Sequence, residues 1–151
     1  MTVVTFHVGS VLCGAEVSCV QEVLRHQELT PIPLAAPATP GLLHLRGQIL
    51  TAIDLRSVFD LPDREEAVKP VCVIVREGEG AASLLADRIG EVVEVKQDAV
   101  VNPPAHWQGP MREFLRGVTD RKDQLLLLLD TARILDIESS TEGPQDELGK
   151  V

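Results

Sequence analysis

Val4, Phe6 and Val8 alternate with Thr5 and His7, the period of a half-buried strand, and Gly9-Ser10 turns the chain into a second strand over Val11 to Val17. Ser18 and Gln21 stand at the spacing of a reciprocal helix cap. Val20, Val23 and Leu24 then give the next segment one apolar face, so a short helix carrying Glu22 is expected there. Pro31, Pro33, Pro37 and Pro40 forbid regular structure until Gly41. Leu42 to Leu45 and Ile49 to Ile53 flank Arg46-Gly47 as a hairpin, and Asp54 ends the second strand in position to cap a turn of helix over Leu55 to Phe59. Farther on, Val71 to Val75 is a buried strand, Glu77-Gly78-Glu79-Gly80 a hairpin loop, Ala81 to Ala86 its return, and Ile89 to Val95 a continuation. Asn102-Pro103-Pro104 opens a long loop that holds Trp107. Leu115 to Thr119 and Leu125 to Leu129 form a last hairpin. The leucine run also suits a helix continuing to Leu135, but its counterpart with Ile49, Thr51 and Ile53 favours a strand.

That counterpart belongs to an internal repeat. A shift of 76 places Gly41 on Gly117, Gln48 on Gln124, Ile53-Asp54 on Leu129-Asp130 and Val58-Phe59-Asp60-Leu61 on Ile134-Leu135-Asp136-Ile137. A shift of 69 places Val20-Gln21-Glu22-Val23 on Ile89-Gly90-Glu91-Val92. Each half then reads strand, glycine turn, strand, a [VI]-x-Glu-Val segment, a proline-rich stretch, glycine, strand pair, aspartate, short helix. About five short strands in such a length suit a small closed barrel, and closure removes exposed edges. A barrel of that size is marginal alone, so two packed together, with an apolar groove at their junction, are expected. The expected boundaries are a first subdomain over about 10–70 with the N-terminal strand, a second over about 71–130, and a final helix over 131–137. The dense charges between Pro62 and Pro70 mark the connection between halves.

Composition narrows the function. Of 151 residues 44% are hydrophobic and 25% charged, the balance of a globular protein. Acids outnumber bases 23 to 14, for a formal charge of −9, and aromatics make up 3%. Nucleic acid is an unsuitable partner for such a chain, which lacks both clustered cations and stacking platforms. No apolar run has the length of a membrane span, and Met1-Thr2-Val3-Val4 lacks the basic start and apolar stretch expected of a signal peptide. Cys13, Cys19 and Cys72 are read as reduced thiols of a cytoplasmic protein. From Glu138 to Val151 four acids sit among Ser, Thr, Gly and Pro, and a disordered acidic tail is expected.

No catalytic constellation is visible, so no catalytic, cofactor-binding or metal-binding residue is assigned. His7, His26, His44 and His106 are scattered, the cysteines form no C-x-x-C, and phosphate-binding loops and nucleophile elbows are absent. A small metal or thiol enzyme using Cys13, Cys19 or a histidine is the alternative from another class. The remaining set suits recognition. Arg46 sits at a hairpin tip where its fork can pair with a carboxylate such as Glu22 and face a partner, against the plainer reading of a solvated surface arginine.

The segment from Gly41 to Leu55, GLLHLRGQILTAIDL, resembles the G-x-x-N-L-R-G signature of the CheW-like coupling proteins of bacterial chemotaxis. Val20 to Val23 resembles the same family's V-x-E-[VI] element, and Leu84 to Val92 its aspartate-containing strand. The likeness covers about residues 3 to 137 and departs at His44, where the family has Asn, and at Thr51, where it has Pro. The resemblance implies an all-β fold with a few short helices, built as two tandem five-stranded SH3-like barrels around a shared apolar groove. It implies a non-enzymatic cytoplasmic adaptor without cofactor. Its partners would be the cytoplasmic hairpin of a chemoreceptor and the regulatory domain of a CheA-type histidine kinase, and its contact with membrane receptor arrays would run through them. A system steering pili or gliding, with or without kinase coupling, is an alternative setting. By position the resemblance ties Val20, Glu22, Gly41 and Arg46 to receptor binding, with Glu22 and Arg46 as a bracing pair. Val73, Leu85 and Ile89 are candidates for the groove lining, with core packing as the competing role.

Overall fold

The computed structural model describes residues 1–137, and the expected acidic tail over 138–151 lies outside the described residues. The strands are β1 (Thr2–Val8), β2 (Val11–Glu16), β3 (Val20–Leu24), β4 (Thr30–Pro31), β5 (Gly41–Leu45), β6 (Gln48–Asp54), β7 (Val71–Glu77), β8 (Gly80–Ala86), β9 (Arg88–Glu94), β10 (Leu115–Arg121) and β11 (Gln124–Leu129). Short helices α1 (Leu55–Val58) and α2 (Pro110–Glu113) precede α3 over 131–137. The leucine run is a strand, as its repeat partner requires. The segment expected as a helix around Glu22 is not one. Only Val17–Cys19 makes a single 3-10 turn, Ser18 caps nothing, and Val20–Leu24 is a strand antiparallel to β7. A few residues of amphipathic spacing gain more from a ladder with an apolar neighbouring strand than from an isolated helical turn.

The chain forms two SH3-like barrels from two sheets, ordered β3-β7-β8-β6-β5-β4 and β9-β1-β2-β11-β10. The two orders are the same order. Under the shift of 69, β1 and β2 become β7 and β8, and β3 becomes β9. Under the shift of 76, β5 and β6 become β10 and β11. Registers repeat residue for residue: Val20 pairs with Val75 as Ile89 pairs with Phe6, and Thr51 pairs with Ala82 in parallel as Leu127 pairs with Cys13. Each sequence half therefore does not close on itself. The first hairpin of each repeat is built into the barrel of the other, so β7–β8 complete the sheet of β3 to β6, and β1–β2 complete the sheet of β9 to β11.

This exchange explains why the strands read as continuous apolar runs rather than as alternations. Along β11, Leu126 and Leu128 point into one barrel with Val3, Leu12 and Val93, while Leu127 and Leu129 point into the seam between barrels. Along β7, Cys72 and Ile74 fill the other barrel with Leu43, Leu50 and Leu85, while Val73 and Val75 join the seam. The seam is the largest apolar cluster, with Phe6, Ile53, Leu55, Leu84 and Ile134 all fully buried. Each such side chain contributes about 1.5–3 kcal/mol, so the junction is core rather than a loose contact.

Local chemistry repeats too. Asp54 accepts from the Arg56 backbone N–H at 3.1 Å to cap α1, and Asp130 accepts from that of Arg133 at 3.2 Å to cap α3. The β5–β6 and β10–β11 turns both place two residues at positive φ, Arg46-Gly47 and Lys122-Asp123, the type I′ geometry that matches strand twist. One feature is not repeated. Where β8 leaves one barrel for β9 in the other, Asp87 accepts from Arg56 Nε at 3.0 Å and Nη2 at 2.6 Å, from Arg64 Nε at 2.7 Å and from the Gly9 N–H at 2.6 Å. Arg64 also reaches Asp54 at 3.1 Å, and its side chain is only 9% exposed. The charged connection between Pro62 and Pro70 is thus pinned to the body at Arg64, and the carboxyl of Asp87 is held far below the usual range by these donors, against the opposing effect of its own desolvation.

Two predictions follow from this packing. Ser83 Oγ is fully buried and has no hydrogen-bond partner among the described residues, so Ser83→Ala should stabilise the protein by roughly 1 kcal/mol in urea unfolding. A lower midpoint would show that the hydroxyl is satisfied. Asp87→Asn leaves Arg56 without its carboxylate and Arg64 with Asp54 alone, and should cost about 3 kcal/mol at neutral pH. Because the folded-state pKa of Asp87 is depressed, its contribution is complete above the unfolded value near pH 4 and is lost as pH falls below it. The wild-type protein should therefore lose stability below about pH 4 more steeply than the variant, and parallel acid limbs in the two titrations would refute this assignment.

Candidate docking surface

The β5–β6 turn must reverse the chain in two residues, and Arg46 at φ 48° and Gly47 at φ 82° supply the left-handed conformation. The turn carries the Arg46 side chain out of the sheet, 67% exposed, toward β3. There Glu22 faces it: Nη1 of Arg46 donates to Oε2 of Glu22, and Nη2 donates to Oε1 at 2.9 Å. This bidentate pair is the fork geometry that favours arginine over lysine. Hydrogen bonds from Arg46 and then Gln21 hold the Glu22 carboxyl below its ordinary range, and Arg46 is raised by the same contact.

The polar contacts continue along the sheet. Gln21 Nε2 donates to Glu22 Oε2 at 3.2 Å. Arg76 at the end of β7 donates through Nε to Gln21 Oε1 and through Nη2 to Gln48 Oε1 at the start of β6. One network therefore runs from Arg46 through Glu22, Gln21 and Arg76 to Gln48. Beyond it lies a concavity of about 580 Å³ lined by Gln48, Ile49, Arg76 and Gly80 of one barrel and by Ala132 and Leu135 of α3, whose Ile134 and Leu135 belong to the seam. This is an open cleft at the barrel junction, and Ile49 beside it is 62% exposed.

The residues singled out in the sequence fall into distinct environments. Glu22 and Arg46 touch. Val20 begins the same strand as Glu22, half-buried against the seam. Gly41 is buried at the start of β5, where a Cβ would lie 2.7 Å from the carbonyl oxygen of Thr30, so its need is close approach of β4 rather than an unusual φ. Gly117 repeats that relation against the carbonyl of Val101 at 2.8 Å. Val73 is fully buried in the seam and Leu85 is buried inside a barrel, so their side chains are core and line no accessible cleft. Ile89 is 45% exposed on the other barrel, in a separate hollow with Arg88, Arg121 and Lys122. Sequence reading passed over Gln48, Ile49 and Arg76. The one signal for Arg76 was a cation ending the apolar run of β7.

Burial pushes the Cys13 thiol up to about 12, which leaves it protonated and unreactive at neutral pH. His7 is lowered by desolvation and by Arg88, so it is neutral near pH 7. Among the described residues no group of three or more His, Cys, Asp and Glu side chains could hold a metal ion.

Comparison with known proteins agrees with the architecture. A family model described as a CheW-like domain matches residues 2–139. A chemotaxis protein CheW of Treponema pallidum is 30% identical over 137 residues, covering 87% of this chain and 79% of its own. One of Bacillus subtilis is 24% identical, covering 95% and 92%. The crystal structure of a scaffolding protein CheW from Thermoanaerobacter tengcongensis superposes with a TM-score of 0.77 at 25% identity, over 85% of this chain and 88% of that one.

Gly41→Ala should test the packing role of that glycine. The neighbour it would strike is backbone, so β4 must move, and a loss of about 1–3 kcal/mol is expected in denaturant unfolding. An unchanged midpoint would free Gly41 for a direct role in binding.

Proposed function

Because the chain belongs to the CheW-like family, we propose that it is a coupling adaptor of bacterial chemosensory signalling, holding a chemoreceptor's cytoplasmic hairpin and the regulatory domain of a CheA-type histidine kinase. The observation that carries the receptor half of this reading is the Glu22–Arg46 pair. A fork fixed by a bidentate contact, on a turn fixed by two positive φ angles, is a pre-organised recognition group, so little side-chain freedom remains to be lost on docking. Receptor tips are helical, and a helix laid across the first barrel would meet Arg46 and Glu22 on the sheet and the apolar rim at Val23 and Ile49. Val20 and Gly41 serve the same surface from beneath, by seating β3 and β5.

No step of this function needs bond chemistry. An adaptor works by presenting surfaces at a fixed mutual angle, and the buried seam with the Asp87 network supplies that rigidity. The protein would act in the cytoplasm and reach the membrane through its partners; no helix among the described residues is long and apolar enough to cross one.

Arg46→Glu is the direct test. Its side chain is mostly exposed on a turn, so the fold should persist, while the new carboxylate repels Glu22 and removes the fork. Binding to a receptor hairpin fragment, measured by titration calorimetry, should weaken at least tenfold with an unchanged circular dichroism spectrum. Binding equal to wild type would remove Arg46 from the docking surface.

A further inference from the structure

The network described above holds two guanidiniums and one carboxylate. Glu22 balances Arg46, but Arg76 is held only by the amide oxygens of Gln21 and Gln48, which are neutral, and among the described residues it makes no ion pair. Glu77, Glu79 and Asp136 line the same cleft without pairing with it. Its stem is half-buried on β7 and its fork is oriented by two acceptors, so the cation is fixed in place without a direct ion partner. Among the described residues Arg25, Arg88 and Arg112 also make no ion pair, and Arg76 differs from them in having its fork oriented by two side-chain amides. An unpaired guanidinium beside an aliphatic side chain suits a partner that brings its own carboxylate next to an apolar residue.

The internal repeat sharpens the point. The equivalents of Arg76, Gln21 and Gln48 in the other barrel are His7, Gly90 and Gln124, which cannot hold a guanidinium in the same way. Glu22 and Arg46 have weak counterparts there, Glu91 with Lys122 at 3.9 Å and with Arg121 at 3.6 Å, but Arg76 has none. The arginine held by two side-chain amides therefore marks one barrel of two.

We propose that Arg76, positioned by Gln21 and Gln48, is a specificity residue that pairs with a carboxylate on the docked receptor helix, one helical turn from an aliphatic residue that packs on Ile49. This rests on the receptor-docking reading above and adds the chemistry of the contact. The Arg46–Glu22 pair is satisfied within the chain, whereas Arg76 becomes satisfied only in the complex.

The test compares wild type, Arg76→Gln and Arg76→Lys for binding to a receptor hairpin fragment and, separately, to a kinase regulatory domain, at low and high salt. Arg76→Gln should weaken receptor binding roughly five- to tenfold at low salt and flatten its salt dependence. Arg76→Lys should restore the salt dependence and part of the affinity, and kinase-domain binding should stay within twofold. Neutralising the receptor's Asp and Glu residues in turn should find one whose loss makes the hairpin indifferent to Arg76→Gln. If wild type binds the hairpin but Arg76→Gln matches it, the role of Arg76 is overturned while docking stands. Equal weakening toward both partners would overturn it as a fold effect. If wild type does not bind the hairpin at all, this inference and the docking reading fall together.

Discussion

Burial of both faces of the central strands is the constraint on which the rest of the structure depends. β7, β8, β6 and β11 each send alternate side chains into a barrel and into the seam, so both faces are almost wholly apolar, with Thr51 and Ser83 as buried exceptions. That requirement fixes the leucine run, the valine-rich β7 and the small residues of β8, where Ala82 and Ala86 let the sheets approach. It also fixes the position of the functional groups. With both faces of the inner strands committed to packing, polar recognition can be carried only by the outer strands, the turns and the strand ends. Glu22, Arg46, Gln48 and Arg76 occupy such places.

Much of this was legible in the sequence because it is local. Two-residue turns, aspartate caps and apolar strands each have short-range causes, and the repeat multiplied the signal by showing each of them twice. The pairing of Glu22 with Arg46 was legible as a chemical complement. The strand at Val20 to Leu24 was misread because a short amphipathic spacing fits a helix equally well, and only the ladder with β7 decides between them. The exchange of hairpins could not be read, since the same strands in the same order close a barrel either within a half or across halves. Val73 and Leu85 were legible as apolar but not as buried on a particular face, because in β7 and β8 both faces are apolar.

The connection between the halves shows the same limit in another form. Its density of charge reads as a solvated linker, and most of it is exposed. Arg64 is the exception, buried where Asp54 and Asp87 converge from positions distant in sequence. A charged segment that is tethered at one arginine fixes the crossover between barrels without adding to the apolar core, which gives the adaptor a defined angle between its two faces.

The reciprocal placement of β1–β2 and β7–β8 has an evolutionary corollary. One repeat with this geometry is an open form, its leading arm extended away from the strands it cannot cover, so the smallest closed assembly of unlinked repeats is a pair of copies with swapped arms. A covalent link such as residues 62–70 makes that pairing unimolecular and independent of dilution. Two copies in one chain can differ, and the amide-held guanidinium of Arg76 is an asymmetry that two identical chains could not keep to a single side.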